Sequence, residues 1–152
     1  MEAVLQLVTA FLGSLGFSLL FNIRGRHLLP ASLGGLLAWG VYLLAMQRWP
    51  SAPLCYLIAS AAFTLWGEIF ARAMKTPATP FLVAAAIPLI PGGSLYATME
   101  YALQGDGEAF ARQGLSTLLL AAAIAAGVLL MTTVFRLALR LPHAVKKICR
   151  KI

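Results

Sequence analysis

Charge is scarce in this chain. Of its 152 residues only 11% are Asp, Glu, Lys or Arg, while 61% are hydrophobic and the mean hydropathy is +0.85. A soluble globular domain carries about 25% charged residues, so the shortage excludes a water-soluble fold. Acids are the rarer sign, five against twelve Lys and Arg, which leaves a net charge of +7. Such an excess suits nucleic acid only when it lies on a water-exposed face, and there is too little polar sequence to build one. Two cysteines and two histidines are too few for a zinc site or a disulfide framework. Apolar residues do not alternate with polar ones over ten-residue segments, as a transmembrane β-barrel requires. There is no low-complexity tract, no obvious internal repeat, and no loop long enough to fold separately. What remains is an all-α membrane protein, a single transmembrane domain over residues 1–152.

A bilayer core of roughly 30 Å needs about 20 apolar residues per helix. Five runs meet that need, at 3–21, 28–46, 53–71, 81–103 and 114–134, followed by a basic tail at 136–152. Pro30 loosens the start of the second run, which also carries Gly34, Gly35 and Gly40. The first run is not expected to be a secretory signal. It is preceded by Glu2, and its positive charges, Arg24 and Arg26, follow the apolar stretch, the reverse of a signal peptide.

Basic residues set the expected orientation. With the N-terminus outside and five crossings, the inner segments hold Arg24, Arg26, Arg72, Lys75, Arg136, Arg140, Lys146, Lys147, Arg150 and Lys151. The outer segments hold only Arg48 and Arg112. The positive-inside rule therefore predicts N-out, C-in. Cys55 then lies near the outer face and Cys149 in the inner tail, so the two cannot bridge. An odd span count with this bias argues against dual topology and suits one half of an inverted-repeat transporter, whose other half has the opposite orientation.

The fourth run is broken near its middle, where Pro88-Leu-Ile-Pro91-Gly92-Gly93-Ser94-Leu-Tyr96 interrupts an apolar stretch. Each proline removes a backbone donor and clashes with the preceding turn. Non-helical backbone at membrane depth persists only where protein buries it or where it lines a cavity. The pattern predicts two half-helices, with Ser94 capping the second and free N–H groups left near the midplane. Such a positive helix end receives carboxylates. Pro88, Pro91, Gly92, Gly93, Ser94 and Tyr96 are the candidate substrate residues, with Thr98 as a further polar side chain. The plainer alternative is a proline kink relieved by neighbouring helices.

Glu68 is the one acid well inside the third run. An intramembrane carboxylate defaults to a functional hypothesis, here a proton or ammonium acceptor. It also lies four residues before Arg72, on the same helix face, where the two can pair structurally. Glu100 reads as an interfacial carboxylate and Asn22 as a cap on the first helix. Either is a weaker lining candidate. Trp49 and Tyr56 fit an aromatic belt. Ala121, Ala122, Ala123, Ala125, Ala126 and Gly127 form a small-residue surface suited to close helix packing. The tail suits anionic lipid. Catalysis is not expected, because His27 and His143 fall in inner segments, away from any nucleophile that they could activate. No metal or other cofactor is expected.

Three segments resemble a known family. They are Gly16-Phe-Ser-Leu-Leu-Phe-Asn22 before a basic turn, Gly67-Glu68-Ile-Phe-Ala-Arg72 before a loop with Pro77, and the stretch from Pro80 through Pro88, Pro91, Gly92, Gly93 and Ser94 to Tyr96. Together with chain length and span layout, they resemble the small membrane subunit of the threonine/serine exporter family in its split, ThrE type. The resemblance implies a two-component secondary exporter in the bacterial inner membrane, driven by the proton-motive force. Its cargo would be threonine, serine or a small carboxylate such as succinate, and its partner a larger membrane subunit. It also implies functional roles for Glu68, Arg72, Pro88, Pro91, Gly92, Gly93 and Tyr96. The alternative is a non-transporting scaffold or regulatory subunit.

Overall fold

The computed structural model describes residues 1–149, with side chains through Leu139. The side chains of Arg140, His143, Lys146, Lys147, Cys149, Arg150 and Lys151, and so the expected lipid contacts of the tail, lie outside the described residues. The chain is all helical. In order, α1 is Glu2–Leu20, a 3₁₀ turn is Gly25–His27, α2 is Leu28–Arg48 and α3 is Ala52–Ala73. Then come α4 at Thr79–Ala86, a second 3₁₀ turn at Ile87–Leu89, α5 at Gly92–Gln104 and α6 at Gly107–Cys149.

α1, α2, α3 and the Gly107–Leu139 part of α6 are each long and apolar enough to cross a bilayer. Thr79–Leu89 and Gly92–Gln104 qualify only as a pair, bent by 56°. The protein is thus a multi-pass membrane protein, with four candidate crossings among the described residues, or five if the bent pair is one span.

α2 and α3 are central. α1 packs on α2, α6 on α3, and α4 on both central helices, while α5 leans chiefly on α6. In a membrane the water-driven gain from burying apolar side chains between helices is absent, so close packing by small residues has to hold them. The interior follows that rule: Ala31, Ala38, Ala59, Ala84 and Ala85 are fully buried around Phe63, Phe81 and Leu89. The glycines of the second run are crossing points, not weak points. A Cβ on Gly34 would stand 2.8 Å from the Ala85 Cβ, and one on Gly35 would stand 2.6 Å from the Ser14 Cβ. Pro30 is buried in the first turn of α2, where a missing N–H is tolerated, and its carbonyl accepts the Trp66 indole N–H at 2.9 Å.

Three sequence expectations change. Tyr56 is not a belt residue: it is buried and meets Tyr42 edge-on at 5.0 Å, because its place on α3 faces α2. The small-residue surface of α6 is divided. Gly127 is buried against α3, while Ala121, Ala122 and Ala125 remain exposed. The last helix also begins before 114. Gly105, left-handed at φ 75°, closes α5, and the Asp106 carboxylate accepts the Ala109 N–H at 3.0 Å. That is a helix N-cap, and it starts α6 at Gly107. At about 1.5 Å per residue α6 is about 64 Å long, roughly twice the bilayer core.

α1 and α3 end alike. Asn22 (φ 58°) and Lys75 (φ 54°) adopt the left-handed conformation. The next residues, Ile23 and Thr76, send their N–H groups back to the Ser18 and Ala71 carbonyls at 2.9 Å. This is the Schellman closure of a helix C-terminus, and it matches the expected capping position of Asn22.

Candidate functional site

The break in the fourth run is built by its prolines. Pro88 cannot donate to the α4 ladder, so α4 gives way to a 3₁₀ turn whose last bond runs from the Ile90 N–H to the Ile87 carbonyl at 3.3 Å. The chain then extends through Ile90, and the Gly92 N–H closes on the Ile90 carbonyl at 2.7 Å. α5 starts where the Leu95 N–H reaches the Pro91 carbonyl at 3.0 Å. Its N-cap is therefore Pro91, and no side chain caps it. Ser94 is not the cap: it lies inside the first turn, because the two glycines enter the helix before it. Its carbonyl accepts the Thr98 hydroxyl at 2.8 Å.

The structure divides the predicted site residues among three places. Gly92, Gly93 and Tyr96 are exposed, Tyr96 at 71%, and no residue of α5 is buried. Pro88 turns the other way, toward α1 and α2. With Gln6, Thr9, Ala10 and Trp39 it lines a cavity of about 280 Å³. There the Trp39 indole N–H donates to the Gln6 amide oxygen at 3.2 Å, and the Thr9 hydroxyl donates to the Gln6 carbonyl at 2.9 Å. One turn further along α1, the buried Ser14 hydroxyl has no hydrogen-bond partner among the described residues. Gln6, Thr9 and Trp39 were not sequence candidates. The available signal was that Gln6 and Thr9 interrupt an apolar run three residues apart, on one helix face.

The third place is the C-terminal half of α3. Glu68 is buried, and its carboxylate pairs with the Arg72 guanidinium, which also donates to the Glu68 carbonyl at 3.0 Å. The guanidinium lies over the Phe135 ring of α6, 4.4 Å from its centroid. The pair therefore joins α3 to α6. Glu100 is exposed and accepts only the Gln104 amide at 3.2 Å. Among the described residues no cluster of His, Cys, Asp and Glu could hold a metal ion.

The family model described as Threonine/Serine exporter, ThrE, matches residues 6–134. The chain belongs to the threonine/serine exporter family. No solved structure matches this exporter chain. The matched segment runs from within α1 to within α6 and includes the whole interruption between α4 and α5.

Proposed function

We propose that this exporter chain is one half of a two-component secondary carrier in the bacterial inner membrane, oriented N-out and C-in. A larger membrane subunit of the same family would complete it. The observation that carries this reading is the exposed first turn of α5. Its leading amides have no side-chain cap, and Gly92 and Gly93 have no neighbour within 4 Å of where a Cβ would stand. Uncapped amides do not face lipid, because each unsatisfied group costs several kcal/mol there. A second protein surface, with a water-filled cleft between the two, would cover them. The same amides and the positive end of α5 would then hold the carboxylate of threonine, serine or a small dicarboxylate such as succinate. Proton-motive drive fits this reading, with Glu68 either carrying the proton or serving as the structural partner of Arg72.

Efflux of labelled threonine, serine and succinate from preloaded cells tests it. This chain, the candidate partner and both together are compared. Efflux only with both, abolished on collapsing the proton gradient, is the expected result and identifies the cargo. Efflux from this chain alone overturns the half-carrier reading. Ser94→Cys adds a local test: small aqueous thiol reagents should modify it, and substrate should protect it. A dry, unreactive position there favours the scaffold reading.

A further inference from the structure

A second pocket lies at the opposite end of α4 from the break. The turn after α1 and the turn after α3 meet there and enclose about 340 Å³, lined by Asn22, Arg24, His27 and Thr76 among others. This volume is at the small end of ligand pockets, which run from roughly 300 to 1,000 Å³. His27 ties the two turns together. Its Nδ1 lies 3.2 Å from the Met74 sulfur, and its ring meets Phe81 edge-on at 6.1 Å.

The electrostatics of the pocket favour an anion. Two helices end at it and two begin there. The ending helices, α1 and α3, each have three carbonyls of the last turn occupied: Phe17, Ser18 and Leu19 in one, Phe70, Ala71 and Arg72 in the other, all accepting turn N–H groups. The beginning helices, α2 and α4, have no side-chain cap. Most carbonyls of the two helix ends are thus satisfied internally, while the positive ends carry no side-chain cap, the Leu28 N–H alone being taken by the Gly25 carbonyl. Arg24 adds a full charge, and none of the five acidic side chains pairs with it. Thr76 supplies a buried hydroxyl that has no partner among the described residues. A buried hydroxyl left unpaired is costly, and a turn of the half-buried Thr76 side chain toward the pocket would bring it to a ligand oxygen.

We propose that this pocket is the cytoplasmic loading site of the carrier, binding the carboxylate of a small metabolite through Arg24, Thr76 and Asn22. The proposal rests on the exporter reading and its N-out orientation, and it adds a site distinct from the α5 amides. Cargo would dock here before reaching the break at the far end of α4.

The test is equilibrium binding of labelled succinate and labelled threonine to the full-length chain in nanodiscs of zwitterionic phosphatidylcholine. The expected result is saturable binding, weakened about tenfold by Arg24→Gln and several-fold by Thr76→Val. Arg26→Gln removes the same charge from the same turn but does not line the pocket, so it should change binding less than twofold. Thermal unfolding of each variant checks that the fold persists. No saturable binding to the wild-type chain overturns the proposal. Equal losses from Arg24→Gln and Arg26→Gln also overturn it, since they indicate diffuse surface charge. If phosphatidylglycerol in the discs abolishes binding through Arg24, the occupant is a lipid headgroup and the loading site is overturned. Binding is read without transport, so efflux can fail while binding holds, or the reverse. A failure of the loading site is therefore distinguishable from a failure of the exporter reading on which it rests.

Discussion

α4 and α5 come from one apolar run and meet the membrane in opposite ways. α4 buries Phe81, Ala84 and Ala85 between α2 and α3, whereas α5 buries nothing and keeps Leu95, Tyr96, Met99 and Leu103 exposed. α5 is the more polar of the two, with Ser94, Thr98, Glu100 and Gln104, and it also has fewer neighbours. α2 offers Gly34 to Ala85, and α3 offers Gly67 to Phe81 and Leu82, so α4 can approach both backbones closely. α5 has only α6 to lean on, with the Thr98 and Thr117 hydroxyls 3.4 Å apart across that contact. One half of the broken span is part of the scaffold. The other is held at its two ends, by the Pro88–Pro91 break and by the turn at Gly105.

Matched glycine substitutions give the largest contrast. A Cβ on Gly127 would collide with the Ser60 hydroxyl and stand 2.5 Å from the Leu57 carbonyl oxygen. The Leu57 atom is backbone and cannot swing aside. Gly127→Ala should cost about 1–3 kcal/mol or more, as overpacking does, and thermal unfolding in detergent would show it. Gly93→Ala meets nothing within 4 Å and gains up to about 1 kcal/mol of helix propensity, so stability should hold or rise slightly. Export should nevertheless fall about tenfold or more, because a Cβ there blocks the approach of a ligand to the backbone amides. Pro91→Ala should behave similarly, impairing export more than membrane insertion. If Gly93→Ala exports normally, the amides of α5 do not hold substrate.

The sequence made this contrast only half legible. Bilayer thickness sets the length of each run, so the crossings could be read directly, and Pro88, Pro91, Gly92 and Gly93 announced the break. The facing of each half could not be read, because Phe81 and Tyr96 are both aromatic residues of one run and only neighbours from distant runs bury one of them. Gly34 and Gly35 could be noted in the second run but given no role, because their contacts, Ala85 and Ser14, lie on other helices. The loading pocket was hidden for the same reason. Asn22 and Thr76 are more than fifty residues apart and meet only because α1 and α3 end alike. The spacing of Glu68 and Arg72, by contrast, was local, and the pairing followed from one helical turn.

That pair gives the next largest effect and asks whether α3 belongs wholly to the scaffold. Arg72→Gln leaves a buried carboxylate without its partner. The Arg72 side chain is 42% exposed, so the cost should be about 1–2 kcal/mol, below that of a fully buried pair. The double variant Glu68→Gln with Arg72→Gln decides the role. If the pair only braces α3 against α6, the double variant should regain most of the lost stability and export. If Glu68 carries the proton, Glu68→Gln and the double variant should both lose gradient-driven efflux while unfolding at near wild-type temperature.

The smallest effect is expected at the far end of α5. Asp106→Ala removes the carboxylate that caps Ala109, and loss of a helix N-cap costs about 1 kcal/mol. The damage should stay local, as faster hydrogen exchange at the amides of Ala109 and Phe110, because α6 is anchored further along by Gly127 against Ser60. Export should be unchanged if α5 is positioned by the proline break. A clear fall in export with normal membrane insertion would move the control point to the Gly105 turn. The half-helix would then pivot from its C-terminal end, and the break would be the part that follows.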